Sequence, residues 1–107
     1  MSDLKWDKAF ALEQAADDEE LLQELIDIFK ESSLSDLALV KQSIEKADAD
    51  KGMSSAHSMK GAAASLGFQG IKEVAEAIEV DCREGSTAVI TAKLPELEQL
   101  INLLQEM

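Results

Sequence analysis

Ser55-Ala56-His57-Ser58-Met59-Lys60-Gly61-Ala62-Ala63-Ala64-Ser65-Leu66 is the stretch from which both the fold and the chemistry of this chain are read. At about 100° per residue, Ala56, Met59, Ala63 and Leu66 gather into one narrow apolar stripe, the core face of an amphipathic helix. His57, Gly61, Ala64 and Ser65 fall on the other side, and Lys60 lies at the boundary. His57 is the only histidine in the chain, and this periodicity turns it away from the core. Lys60 and Gly61 follow at i+3 and i+4, one turn later on the same side.

The same periodicity continues in both directions. The helix carrying His57 is expected from about Met53 to Leu66, after a polar turn at Asp48-Ala49-Asp50-Lys51-Gly52. Asp17 or Asp18 caps a helix to about Ser32, with Leu21, Leu22, Leu25, Ile28 and Phe29 on one face. Its opening acids suit the positive end of the helix dipole. Ser33 or Ser35 starts a further helix, with Leu37, Val40, Ile44 and Ala47 as its stripe. Downstream, Gly67-Phe68-Gln69-Gly70 breaks the chain. Ile71, Val74, Ala75, Ile78 and Cys82 then line a helix ending near Gly85-Ser86. A last helix begins at Ala88 or Thr91, with Leu94, Leu97, Ile101 and Leu104 aligned. Pro95 favours the later start, because proline is best placed in a first turn. A short helix from Trp6 to Ala15 covers one end through Trp6, Phe10 and Leu12. Val89-Ile90-Thr91 is β-prone but too short to found a sheet. Five or six amphipathic helices with short connections give an all-α fold. It is expected to be an antiparallel up-and-down four-helix bundle with an additional short N-terminal helix, forming one domain over residues 1–107.

Composition limits the function. Hydrophobic residues make up 46% and charged residues 30% of the 107 residues, the composition of a folded domain. No apolar run reaches the length of a membrane span, and the N-terminus lacks the pattern of a secretory signal. Cys82 has no partner for an intrachain disulfide and falls on an apolar stripe, so it is assigned to the core; a cytoplasmic location is expected. The formal net charge of −12 disfavours nucleic acid and anionic membranes as partners. One His and one Cys make no transition-metal site, so no metal is expected. No nucleophile elbow, oxyanion hole or glycine-rich phosphate loop accompanies the histidine. Ser54, Ser55 and Ser58 read as helix-start and surface residues.

The charge is unevenly spread. Residues 51–72 contain Lys51, Lys60 and Lys72 and no Asp or Glu. A lone imidazole in this positive island suits a phosphate or another anion. An exposed neutral imidazole is a competent nucleophile, and Lys60 can lay its ammonium over an anion attached to it. Gly61 costs about 1 kcal/mol in a helix interior relative to alanine, so its presence suggests close approach of another molecule. Taken singly, these are an ordinary surface histidine, a solvated lysine and a small packing residue. Their coincidence at i, i+3 and i+4 favours a site.

The run Ala56-His57-Ser58-Met59-Lys60-Gly61, followed by small residues and Leu66-Gly67, resembles the histidine-containing phosphotransfer (HPt) domain of bacterial multistep phosphorelays, with Met59 in place of the common Leu. The similarity extends to Asp17 through Phe29 and to Ile71 through Glu79. The resemblance implies a phosphoryl carrier rather than an enzyme, with His57 as phospho-acceptor, Lys60 as phosphate stabiliser and Gly61 keeping the approach open. It also points to Glu79, 22 residues after His57, as the residue that orients the imidazole. The implied partners are response-regulator receiver domains, which would contribute Mg²⁺, and a sensor histidine kinase. Docking is expected around Ala64, Ser65, Leu66 and Phe68, with the protein monomeric. The alternatives are an HPt-like helical module that binds a receiver or kinase without phosphotransfer, and a small hydrolase or carboxylate-metal protein.

Overall fold

A computed structural model describes residues 3–107. They form five helices: α1 (Lys8–Gln14), α2 (Glu19–Glu45), α3 (Ala49–Ser65), α4 (Gln69–Arg83) and α5 (Ala88–Gln105). α3 packs against both α2 and α4, α4 against α5, and α5 back against α2, while α1 rests on α2. The stripes read from the sequence meet in the middle. Val40, Met59, Ala63, Ile71, Ile78, Ile90, Leu97, Ile101 and Leu104 have no exposed surface, and their burial is the main favourable term in folding. Cys82 is buried among them.

The structure joins the two helices expected before and after Ser33 into one of 27 residues. Nothing between Glu19 and Glu45 breaks a helix, since the segment contains neither Gly nor Pro. Its serines do not cap a new start. Ser32 and Ser33 instead donate back to the carbonyls of Phe29 and Lys30, at 3.3 and 3.0 Å, which satisfies the hydroxyl inside a continuous helix. Asp18 is the true cap, accepting from the amides of Glu20 and Leu21. Of the second stripe, Leu37 and Val40 are buried and Ile44 is partly so. Ala47 lies outside α2 with φ +49°.

Two other boundaries move. α3 starts at Ala49, because Asp48 accepts from the Lys51 amide and caps it; the polar turn of the sequence reading is the helix's first turn. Gly52 of α3 sits where α2, α4 and α5 converge on it. A Cβ there would lie 2.8 Å from Ile90 Cδ1, 3.0 Å from Cys82 Sγ and 3.1 Å from Ser43 Oγ. α5 starts at Ala88, leaving Pro95 inside the helix. The first amides of α5 are satisfied by Ser86 Oγ (3.1 Å, to Ala88) and by Asp81 Oδ2 of α4 (3.0 Å, to Val89). Pro95 faces solvent, where the carbonyl it leaves unpaired can reach water.

The N-terminal helix begins at Lys8 rather than Trp6. The preceding residues form a strap along the turn between α3 and α4. Asp7 N donates to Gly67 O and Gly70 N to Leu4 O, both at 2.9 Å. Trp6 stacks on Phe68 at 5.4 Å between centroids and donates its indole N–H to Leu66 O at 3.0 Å. Leu12 also packs against the core, whereas Phe10 stays outside it and is 37% exposed. Gly70 permits this contact, since a side chain there would run into the Asp3 carbonyl. The strap clamps the turn that sets α4 beside α3.

Candidate functional site

α3 presents His57 from the middle of its length, with the side chain 69% exposed. Ala56 and Met59 on either side are buried, so the helix is anchored on one face and offers the imidazole on the other. Gly61, one turn later, is exposed. A Cβ built on it meets nothing within 4 Å, so no neighbour in the fold requires a glycine there. Internal packing therefore does not explain its conformational cost.

The packing of α4 against α3 places Glu79 directly behind the ring. His57 Nδ1 lies 2.8 Å from Glu79 Oε2. Lys60 Nζ lies 2.6 Å from the other carboxylate oxygen, Oε1, and Arg83 Nη2 reaches Oε2 at 3.3 Å. Glu79 is buried, with only 5% of its side chain exposed, while Lys60 retains 27%. Oε1 is closed to solvent and lacks a well-directed hydrogen bond, so its contact with the Lys60 ammonium is an ion pair. The close contact with Lys60 holds the Glu79 carboxyl below its ordinary value. Burial works against this, and the hydrogen bond with His57 assists it.

The ionised carboxylate determines the state of the ring. Glu79 Oε2 can only accept, so His57 Nδ1 is the nitrogen that carries the proton. In the neutral imidazole the free lone pair then belongs to Nε2. The site is therefore one nucleophilic nitrogen on the open side of a ring whose other nitrogen is held from behind.

Within the acid-free island, the Lys60 charge is paired with one acid brought in from outside it. Lys60 is committed to Glu79 in this state rather than free over the ring. Ser58 is exposed; burial pushes the Asp36 carboxyl of α2 up, and the Ser58 hydroxyl partly offsets it. Ser54 is exposed, but Ser55 is buried and donates to Lys51 O at 2.9 Å, so it belongs to packing. One expected docking residue is corrected: Phe68 has no exposed surface, because it is held between Trp6 and Phe29. Leu66 is mostly buried but keeps an edge at the surface. Ala64 is half-buried and Ser65 exposed. The apolar surface near this end is a shallow groove of about 330 Å³ between α2 and α3, lined by Leu25, Ile28, Phe29, Ala62, Ser65 and Leu66 among others. Arg83 went unnoticed in the sequence. Its spacing of four from Glu79, acid before base along a helix, is the signal that could have found it. Among the described residues no cluster of three His, Cys, Asp or Glu side chains could hold a metal ion, and no helix is long and apolar enough to cross a membrane.

Fold and site define a helical-bundle protein with one solvent-facing histidine, anchored from behind by a buried carboxylate on the next helix. The chain belongs to the Hpt domain family, whose model matches residues 24–107. The strap and α1 precede the matched residues. The fold is similar to that of histidine-containing phosphotransfer protein B (HptB) from Pseudomonas aeruginosa PAO1. That match has a TM-score of 0.85 at 20% identity and covers 94% of this chain and 87% of the other. No curated protein matches the sequence. Members of the Hpt family are phosphocarrier intermediates of phosphorelays rather than classical enzymes, and they interact with receiver domains and kinases.

Proposed function

We propose that this protein accepts a phosphoryl group on His57 Nε2 from the aspartyl phosphate of a receiver domain and passes it to a second receiver. The observation carrying this reading is the pairing of His57 Nδ1 with the buried Glu79 carboxylate at 2.8 Å, which leaves Nε2 as the free nucleophile. In the transfer, the Nε2 lone pair forms the N–P bond as the aspartyl O–P bond breaks. The departing electron pair returns to the receiver as a carboxylate. Nδ1 keeps its proton, so the ring becomes a phosphoimidazolium, and Glu79 is placed to stabilise that positive charge. A positively charged ring is also a good leaving group for the second transfer.

Lys60 supplies positive charge for the phosphoryl oxygens, and Gly61 lets the receiver's site come close to the ring. The receiver contributes Mg²⁺, which neutralises charge on the transferring group. In this reading α2 to α5 form an antiparallel up-and-down bundle capped by α1. A monomer in the cytoplasm meets receiver domains, and a sensor histidine kinase supplies the relay. The receiver docks over Gly61, Ala64 and Ser65 and onto the α2–α3 groove.

The test is incubation with a phosphorylated receiver and Mg²⁺. The expected product is acid-labile, base-stable label on the wild type and none on His57→Gln, with unchanged helical circular dichroism. Label retained by the variant would overturn the assignment.

A further inference from the structure

Lys60 faces two claims on one charge. Its ammonium lies 2.6 Å from Glu79 Oε1, yet a phosphoryl group on Nε2 would draw the same ammonium outward. If Lys60 left, Glu79 would be a buried carboxylate without its closest counter-ion, a costly state. Among the described residues, the cations within ion-pairing distance of Glu79 are His57 and Lys60 from α3 and Arg83 from α4 itself; α2 and α5 contribute none.

Arg83 has the geometry to resolve the conflict. It touches Oε2 at 3.3 Å, a longer contact than either of the others, and its side chain is 62% exposed. Its guanidinium offers five N–H donors in a planar fork, matched to both oxygens of a carboxylate. Only one nitrogen is engaged in the present state, because Lys60 occupies Oε1. Accepting the phosphoryl-acceptor reading above, we infer that Arg83 is the standby counter-charge of Glu79. When Lys60 turns to the phosphoryl group, Arg83 closes onto the carboxylate, and Glu79 stays ionised and keeps hold of His57 Nδ1–H. Arg83 is thus a positioning residue, acting on the histidine through Glu79. The plainer role for a basic residue in the last turn of α4 is to complement the helix dipole. That role would not be felt at the Glu79 carboxyl.

Two experiments test this. The first follows the Glu79 side-chain carboxyl by ¹³C NMR against pH in the unphosphorylated protein, so Lys60→Met mimics departure of the ammonium. Wild type and Arg83→Gln should both titrate below the usual carboxylate range. Lys60→Met should titrate higher, and Lys60→Met/Arg83→Gln higher again, because burial then acts with little opposition. A double variant that titrates like Lys60→Met alone overturns the inference. The second experiment measures phosphohistidine lifetime at neutral pH. Arg83→Gln should shorten it about two- to fivefold, the worth of a half-solvated ion pair, and Arg83→Lys should restore only part of the loss, since it keeps the charge but not the fork. An unchanged lifetime in Arg83→Gln also overturns the inference, and this comparison decides alone if the double variant does not fold. A wild-type protein that takes no label overturns the phosphoryl-acceptor reading instead, and the carboxyl titration then decides the role of Arg83.

Discussion

Lys60→Met isolates the electrostatic core of the site. The substitution keeps the unbranched stem of the side chain and removes the ammonium lying 2.6 Å from Glu79 Oε1. Breaking a fully buried ion pair by deleting one partner typically costs about 3–5 kcal/mol. Here the loss is smaller, because His57 and Arg83 still engage Oε2 and Lys60 itself is partly in water. The expected destabilisation at neutral pH is about 1–3 kcal/mol. At about 4–8 °C per kcal/mol for a domain near this size, the melting temperature falls clearly. Urea unfolding followed by circular dichroism measures it directly. The pH dependence has a definite sign. Glu79 has a folded-state pKa lowered from its ordinary value, so its contribution is present above the usual carboxylate range and is lost as pH falls through the folded value. The gap between wild type and variant is therefore widest at neutral pH and closes in acid, once Glu79 is protonated in both. Adding Glu79→Gln to Lys60→Met should recover part of the loss, since no buried charge remains. A loss below about 0.5 kcal/mol, the range of ordinary surface changes, or a gap that is the same at both pH values, would refute the ion pair as a stabilising element.

Gly61→Gln should abolish or strongly slow phosphoryl acceptance while raising stability by up to about 1 kcal/mol, since the new Cβ meets nothing in the fold and glycine is a poor helix residue. Transfer assays and thermal melts read the two effects separately, and normal transfer would contradict the access argument. Phe68→Ala should behave as a core deletion, costing about 3–5 kcal/mol, because Phe68 is fully buried between Trp6 and Phe29. Chemical unfolding measures this, and a near-neutral result would return Phe68 to the surface.

Much of the fold was legible in local patterns. The stripe Ala56, Met59, Ala63 and Leu66 has a period that only a helix satisfies, and all four residues are buried. The errors were at boundaries, where one residue type has two uses. A serine can open a helix through its following amides, or sit inside one by bonding backwards, as Ser32 and Ser33 do. The choice depends on whether both flanking stripes face the same core. The start of α5 depended on Asp81, which caps it from another helix. Pro95 could not reveal that, because its tolerance depends on which side faces water.

The sequence by itself determined that this is a helical protein with one outward imidazole, a lysine and a glycine one turn on, and an acid-free stretch around them. Those properties follow from spacing along a single helix. Only the tertiary structure decided how the imidazole is held. Glu79 is far from His57 in the chain, and the docking of α4 against α3 makes it the buried acceptor for Nδ1. The same docking engages Lys60 in an ion pair with the other carboxylate oxygen, while Arg83 reaches Glu79 from within α4. The fold also closed Phe68 to any partner, because Trp6 and Phe29 pack against its ring. Burial of Glu79 and its pairing with His57 and Lys60 are relations between helices, so no single-helix pattern could contain them.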